Sequence, residues 1–202
     1  MQVLNELMPG DNSYNDILSF DMDNCIDEAG RRVALAAPLH MLSTSRTQAT
    51  QISQATVNGH MLAVHKPINY LRLIKAEMDG WNHPVYGNEL ITPEHSLYAR
   101  QANKITAGGA HKPVVALANN QFEFYSLVDG YQESTTARIT YFPNYAISNW
   151  ENVALGELYP NPLIEPVVWQ TASLLFNIME EHDNSMVAQN RCNELLTLNS
   201  AL

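Results

Sequence analysis

The sequence predicts an α+β fold in which N- and C-terminal helices form a small bundle and an antiparallel β region is inserted between them. Apolar residues recur at helical spacing over residues 14–37 and again over 167–196. Between these blocks, strand-like runs are separated by turn-forming Asn-Gly, Asp-Gly and Asn-Asn pairs. Helices and strands therefore occupy separate stretches of the chain, which is typical of α+β domains.

The boundaries of these stretches define the expected domain organisation. Residues 1–42 and 163–202 are expected to form the helical core, and residues 43–142 the β-rich insert with one short helix. Residues 143–162 are expected to be an irregular connection. A chain of 202 residues suits one domain with an elaborated insert.

The first helix is predicted to begin at the capping oxygens of Asp11, Asn12 and Ser13 and to end before Pro38. Asp16 places a negative charge in the first turn, where the helix dipole favours one. Gly30 lowers helical stability, but the apolar residues keep the same phase beyond it. The pattern therefore favours one continuous helix.

The N-terminal half of the insert begins with a polar tract. Residues 43–56 are almost wholly Ser, Thr, Gln and Ala, with Arg46 as their one charge, and are predicted to form an extended loop or arm. Asn58-Gly59 predicts a hairpin, because both residues tolerate positive φ. Residues 70–78 alternate as a strand does, and Asp79-Gly80 predicts the turn that ends it.

The later elements follow from local signals of the same kind. Thr92-Pro93-Glu94 predicts the N-cap and first turn of a short helix through residue 102. Asn119-Asn120 predicts a second hairpin, and residues 135–142 a further strand. An apolar stripe over 167–179 predicts a long helix, and Asp183 or Ser185 is the predicted cap of a final one.

Composition excludes several classes of protein. The chain is 46% hydrophobic but only 16% charged, and its net charge is -10. The normal hydrophobic share argues against disorder, and the acidic excess argues against a sequence-specific reader of DNA or RNA. We expect neither a signal peptide nor a membrane span, because no apolar run is long enough. Cys25 and Cys192 are too few and too far apart for a disulfide framework, so reduced thiols are expected.

Three short motifs suggest chemistry, and each departs from the pattern that the chemistry needs. The acidic run at 21–28 (DMDNCIDE) lacks the fifth-position oxygen, the glycine and the final glutamate of an EF-hand loop, so a solvated helix face is predicted. The run at 108–113 (GGAHKP) lacks the Gly-Lys-Ser/Thr that opens a helix in a phosphate loop. It is predicted to be a turn before a strand. His182-Asp183 resembles the metal-binding pair of HD hydrolases, without the further ligands.

The three tryptophans are candidates for either packing or binding. Trp169 lies near the apolar stripe of the C-terminal helix and is predicted to pack in the core. Trp81 and Trp150 fall in loop-like stretches. Each either anchors its loop or contacts a partner, because aromatic residues are enriched at interfaces. The sequence leaves both alternatives open.

Five segments, taken in order, carry a resemblance to a known family: VALAAPLHML, YLRLIKAEMDGW, KPVVALANNQFEFYSL, ARITYFP and PVVWQTASLLFNIMEEHDNSMVAQNRCNELL. Their arrangement resembles virion proteins of tailed bacteriophages. More narrowly, it is similar to the head-to-tail connector (adaptor or ring) proteins, especially those of short-tailed crAss-like phages. The resemblance covers most of residues 10–198.

The resemblance implies a structural protein with no catalytic residues, cofactor or metal. Its subunits would form a ring, a dodecamer in this family, below the portal protein and above a further tail or ring protein. The ring would extend the channel through which double-stranded DNA leaves, so the subunit would lie near DNA without reading it. The implied location is the head–tail junction of the virion, after assembly in the host cytoplasm and without a membrane.

Extended arms in the family reach adjacent subunits, and residues 43–56 and 193–202 are the segments that we place in that role. The expected interface residues come from these segments and from the two loop tryptophans: Arg46, Trp81, Trp150, Leu198 and Leu202. An acidic ring would repel phosphate, so DNA could slide without sticking. We therefore expect some of the helix-borne acids to face the channel: Asp21, Asp23, Asp27, Glu28, Glu180, Glu181 and Asp183.

Two other functions remain open from the sequence. One is a metal-dependent hydrolase that uses the His182-Asp183 pair. The other is a tail-associated carbohydrate-binding module, a small β-sandwich built from residues 52–142.

Overall fold

The computed structural model of the chain describes residues 12–42, 48–52, 56–58, 61–103, 105–125, 137–147, 150 and 153–200. Side chains are described for these residues other than 12–21, 48–52, 56–58, 199 and 200. The chain divides into two compact units, one of Met1–Ala37 with Tyr145–Leu202 and the other of Pro38–Asn144.

Helices and antiparallel sheets together make this an α+β protein, as the sequence predicts. The helices of the described residues are α1 (Asn12–Ala36), α2 (Leu39–Leu42), α3 (Ser96–Arg100), α4 (Leu155–Leu158), α5 (Asn161–Ile178) and α6 (His182–Ser200). The strands are β1 (Gln48–Ile52), β2 (Thr56–Asn58), β3 (Met61–His65), β4 (Tyr70–Met78), β5 (Val85–Tyr86), β6 (Val114–Ala118), β7 (Gln121–Tyr125) and β8 (Ala137–Pro143). A 3-10 turn covers Gly87–Glu89.

The first unit is helical. Helix α1 runs unbroken through Gly30 and ends before Pro38, which confirms the prediction of one helix. Helices α5 and α6 form an antiparallel hairpin and α1 also packs against α5. The turn between α5 and α6 has the geometry of a helix C-cap, because Glu180 is left-handed at φ 61 and Glu181 N donates to Phe176 O at 2.8 Å.

The second unit is built on two four-stranded sheets, ordered β1-β8-β4-β5 and β2-β3-β7-β6. All strand pairs in both sheets are antiparallel. The sheets pack face to face, because one apolar cluster takes its side chains from both of them. Its members are Leu62, Val64, Leu73, Ala76, Met78, Val85, Val115, Phe122, Phe124, Ala137, Ile139 and Tyr141.

Tight turns of the second unit follow the local chemistry of the sequence. Asn119 and Asn120 both have positive φ, 48° and 61°, between the strands that they join. Gly80 has φ 84°, and Trp81 N donates to Met78 O at 3.1 Å across the turn that ends β4. Strand β4 covers the predicted residues 70–78, and the hairpin around Asn58-Gly59 is present as the β2–β3 pair. Asn58, predicted to be a turn residue, instead ends strand β2 opposite Met61, and residues 59 and 60 lie outside the described residues.

Three boundaries differ from the sequence-based expectation. Helix α3 is capped by His95, whose Nδ1 accepts from Leu97 N at 3.1 Å. The carbonyl of Thr92 accepts instead from His95 N at 2.9 Å, so residues 92–95 form a turn and the helix begins later than predicted. Part of the polar tract 43–56 is strand β1, which pairs with β8, while residues 43–47 and 53–55 lie outside the described residues. Within the connection 143–162, residues 155–158 form α4 and α5 begins at residue 161.

Candidate interaction surface

Trp81 anchors the loop that follows β4. Its side chain is half-buried and packs on the Phe124 ring with the centroids 5.8 Å apart. It thereby closes the edge of the core between the two sheets. Of the two roles that the sequence left open for Trp81, this contact is the anchoring of its own loop. Part of the indole remains exposed.

Trp150 is held more deeply, with only 7% of its surface exposed. Its indole Nε1 donates to Asp27 Oδ1 at 2.9 Å, and its backbone N lies 3.4 Å from Asp23 Oδ1. Ile147 N also donates to the Asp27 carboxylate, at 3.1 and 3.2 Å to its two oxygens. The carboxylates of Asp23 and Asp27 in α1 therefore bind the segment that leads into α4. Trp150 packs within its own unit.

The ionisation of Asp27 reflects this position. Burial raises the pKa of Asp27, and the charge of Asp23 adds to that effect, while the donors from Ile147 and Trp150 oppose it. Burial also raises the pKa of the neighbouring Tyr159 far above its ordinary value, with a smaller contribution from the Asp27 charge. The Tyr159 ring is 1% exposed and packs edge-on against Tyr145 at 5.5 Å. The fold of the helical unit therefore favours the protonated form of Asp27, although the carboxyl group accepts hydrogen bonds from Ile147 and Trp150.

Glu28 is paired on the surface of α1. Its carboxylate accepts from Arg31 Nη2 at 2.9 Å and from Arg32 Nε at 2.7 Å. Burial acts to raise the pKa of Glu28, but the hydrogen bonds from Arg32 and Arg31 outweigh it and hold that pKa below its ordinary value. The negative charge of Glu28 is thus compensated by its own helix.

The remaining acids lie at the turn between α5 and α6. Glu180, Glu181 and Asp183 are all exposed, and Glu181 Oε2 accepts from Asn184 Nδ2 at 2.6 Å. Leu198, further along α6, is 62% exposed. Asp21 lies in α1 without a described side chain, and Arg46 and Leu202 lie outside the described residues.

His182 and Asp183 do not belong to a metal-binding cluster in the described part of the chain. Both are exposed at the start of α6. Among the described residues, no group of three or more His, Cys, Asp or Glu side chains is placed to hold a metal ion. Both cysteines are buried, and burial raises the pKa of the Cys192 thiol.

Two pairs of polar side chains join α5 to α6. Gln170 and Gln189 exchange two amide hydrogen bonds of 2.9 Å, and Gln170 is only 4% exposed. One turn along, the hydroxyls of Ser173 and Ser185 lie 3.0 Å apart, and Ser185 Oγ also donates to Ser173 O at 2.9 Å. The hairpin therefore satisfies its buried polar groups internally, which removes most of the cost of burying them.

The opposite face of α5 is apolar and accessible. Ile164, Val168, Ala172 and Leu175 follow one another at spacings of four, four and three residues, so they share one side of the helix. None of the four is buried, and Val168 is 50% exposed. We call these four residues the outer face of α5. Glu165 is the one charged residue of the whole helix.

Two aromatic side chains flank this outer face. Trp169, predicted to lie in the core, is half-buried, and its indole Nε1 is 3.4 Å from Glu165 Oε1 one turn earlier. Phe176 is also half-buried. Further exposed apolar residues lie at the end of α5 and along α6, namely Ile178 (53%), Met186 (63%), Val187 (66%) and Leu198 (62%). The accessible side of the hairpin therefore carries several exposed apolar residues.

Leu198, an expected interface residue, is exposed, whereas the outer face of α5 was not among the expected interface residues. The apolar stripe over 167–179 predicted which residues would be buried, yet Val168 is half exposed whereas Gln170 and Ser173 are buried. The sequence of α5 does contain a sign of this accessible apolar face, because apolar residues lie on all sides of the helix. A helix of that kind is typical of a buried environment, yet Val168 on this helix is half exposed.

Comparison with protein-family models gives no match, and comparison with curated proteins gives no significant similarity. In the described ranges, no helix has both the length and the apolarity needed to cross a membrane.

Proposed function

We propose that this chain is a structural, non-enzymatic subunit of a bacteriophage virion, a head-to-tail connector whose ring docks below the portal protein. The resemblance of its ordered segments to connector proteins predicts this function. The observation in the structure that supports it best is the outer face of α5, which offers apolar side chains to a partner while the polar groups of the same helix are satisfied internally.

A ring subunit needs such surfaces. Each copy contacts two neighbours as well as the components above and below, and heterologous contacts close into a ring when the rotation between copies allows it. Interface centres are depleted of charge relative to other protein surface. Helix α5, with one charge in 18 residues, meets that requirement.

The acids at the α5–α6 turn are the best candidates for the channel wall. Asp27 and Glu28 are hydrogen-bonded to their own unit, whereas Glu180, Glu181 and Asp183 are exposed. We therefore assign these three acids to the surface that faces the exiting DNA, where their charge would repel phosphate. The net charge of -10 agrees in sign with such a wall.

The decisive test is assembly with the portal protein of the same phage. Native mass spectrometry and negative-stain imaging of the two proteins together are expected to show a ring of this chain bound to the portal. Val168→Asn is expected to abolish the ring, because it places an amide in the centre of the outer face of α5. A chain that remains monomeric with the portal would refute the connector function.

A matched control separates an interface effect from a general effect of removing surface apolar area. Ile68 is fully exposed in the turn before β4, at 107%, and lies on the other unit. Ile68→Asn is expected to leave the ring intact. Circular dichroism of both variants checks that the fold is kept. Equal loss of the ring in both variants would show that the outer face of α5 is not specific to assembly.

The β-sandwich of the second unit favours one alternative, a carbohydrate-binding module on the tail. The second unit has its own core between two sheets, as such modules have. A glycan-array screen of the full chain tests it directly. Saturable glycan binding without any portal association would replace the connector function with this one.

A further inference from the structure

Two loops of the second unit are joined by hydrogen bonds that converge on two histidines. Asn82 N donates to Ala110 O at 3.0 Å, and Asn82 Nδ2 lies 2.8 Å from His111 Nδ1. His83 Nε2 lies 3.2 Å from the backbone oxygen of His111. The loop after β4 is therefore fastened to the turn that precedes β6.

His83 faces a carbonyl oxygen with each of its ring nitrogens. Its Nδ1 lies 3.0 Å from Pro84 O, and its Nε2 faces His111 O as described above. A neutral imidazole has one N–H and one lone pair, so it can donate only one of these bonds and turns its lone pair towards the other oxygen. The imidazolium donates both. In this geometry only the protonated ring can donate to both carbonyls.

We propose that His83 is a proton-operated clasp between these two loops. When the ring is protonated it donates to both carbonyls and holds residues 82–84 against the turn at 109–112. When the ring loses a proton it keeps a single N–H, which the two carbonyls share, so the bond to His111 O, the one bond of the ring that joins the two loops, is no longer always made. The carbonyl that accepts the bond from His83 Nε2 is that of His111, which belongs to the GGAHKP motif.

The charged groups around the ring support protonation. The two carbonyls, first that of Pro84 and then that of His111, raise the pKa of His83, and the Glu89 carboxylate adds a smaller effect of the same sign. Glu89 belongs to the 3-10 turn and accepts from Tyr86 N at 2.8 Å. The ring of His111 presents Nδ1 to Asn82, and Lys112 follows in the same turn. Glu89 thus supplies the attractive charge that favours the imidazolium.

The direction of the pH effect follows from the raised pKa of His83. The ordinary pKa of histidine is 6.5, and the folded value lies above it. The clasp is therefore fully closed below pH 6.5 and opens as the pH rises through the folded value. Trp81, directly before the clasp, stays packed on Phe124, so opening is confined to residues 82–84 and the facing turn.

The test is a pH titration of the full chain by NMR. Long-range nitrogen–proton spectra from pH 5 to 9 are expected to give a His83 pKa above 6.5 with both ring nitrogens protonated at the acidic end. The amide of Asn82, which donates to Ala110 O, is expected to lose protection from exchange as His83 deprotonates, after correction for the intrinsic pH dependence. His83→Gln is expected to remove this step.

His111→Gln is the matched control, because it removes the second ring but keeps the backbone oxygen that His83 uses. It is expected to leave the His83 titration in place while the side-chain contact with Asn82 is altered. A His83 pKa at or below 6.5 would overturn the clasp, as would pH-dependent protection of Asn82 that persists in His83→Gln. These readouts do not depend on assembly, so they stand apart from the proposed function.

Discussion

Gly30 offers a sharp test of how α1 packs, because two physical effects of its replacement by alanine have opposite signs. Alanine is favoured over glycine in a helix interior by about 1 kcal/mol. Helix propensity alone therefore predicts that Gly30→Ala stabilises the protein. A Cβ atom at this position, however, would lie 1.9 Å from Tyr159 Oη and 2.6 Å from Tyr159 Cζ.

The steric conflict with Tyr159 decides whether Gly30→Ala raises or lowers the free energy of unfolding. A carbon and an oxygen without a bond between them need about 3.4 Å, so the tyrosine would have to move by roughly 1.5 Å. Tyr159 is 1% exposed and packs on Tyr145, which leaves it no space to retreat. Overpacking of this kind costs about 1–3 kcal/mol. With the clash at its upper end and the propensity gain subtracted, we expect Gly30→Ala to lower the free energy of unfolding by about 2 kcal/mol.

Urea denaturation followed by circular dichroism and tryptophan fluorescence measures this change. Gly156→Ala is the matched control, since it is also a helical glycine of the same unit. Its new Cβ would meet Ile164 Cδ1 at 3.6 Å, an ordinary contact, so a gain of up to about 1 kcal/mol is expected. In the double variant Gly30→Ala with Tyr159→Phe, loss of the hydroxyl should restore part of the stability that the alanine removes.

A stabilising or neutral Gly30→Ala would refute the packing of α1 on Tyr159. So would equal effects of Gly30→Ala and Gly156→Ala, because propensity would then outweigh contact at both sites. Strictly additive effects in the double variant would show that the alanine does not touch the tyrosine hydroxyl.

Three further predictions concern single residues. Glu180 has a left-handed backbone conformation, which glycine adopts without strain, so Glu180→Gly is expected to raise the free energy of unfolding by about 0.5–1 kcal/mol. Glu181→Gly, at the next position, is not expected to raise it. Tyr125→Phe removes the hydroxyl that donates to buried Glu123 at 2.7 Å, and a loss of about 1–3 kcal/mol in urea denaturation is expected. Because the folded pKa of Asp27 is raised above 3.8, its contribution to stability is largest below that pH and falls as the pH rises. Asp27→Asn should flatten this part of the stability profile, and an unchanged profile would contradict the raised pKa.

Local signals were sufficient for the elements that depend on near neighbours in the chain. Strand β4 was predicted at 70–78 because alternation and the Gly80 turn both act over a few residues. The turn at Asn119-Asn120 was predicted because asparagine tolerates the left-handed region that both residues occupy. Helix α1 continued through Gly30 because the apolar phase was kept on both sides of it.

Long-range pairing could not be predicted in the same way. Strand β1 pairs with β8, so Thr50 lies opposite Ile139 although the two are 89 positions apart in the sequence. Nothing in a run of Gln, Ala and Thr specifies such a partner, which is why an extended arm was the natural interpretation. The alternative roles of Trp150 were likewise undecidable, because the deciding contact is with Asp27 on the first helix.

Helix α5 shows why the candidate surface was hidden from sequence analysis. Periodicity assigns apolar residues to the inside, but a buried glutamine costs little when a second glutamine satisfies it. Gln170 finds that partner in Gln189, and Ser173 finds one in Ser185, both on the next helix. Once these polar pairs occupy the contact between α5 and α6, Val168 and its neighbours are left on the accessible side. The pairing that joins the two helices and the exposure of Val168 therefore both depend on α6, and neither can be recognised from α5 alone.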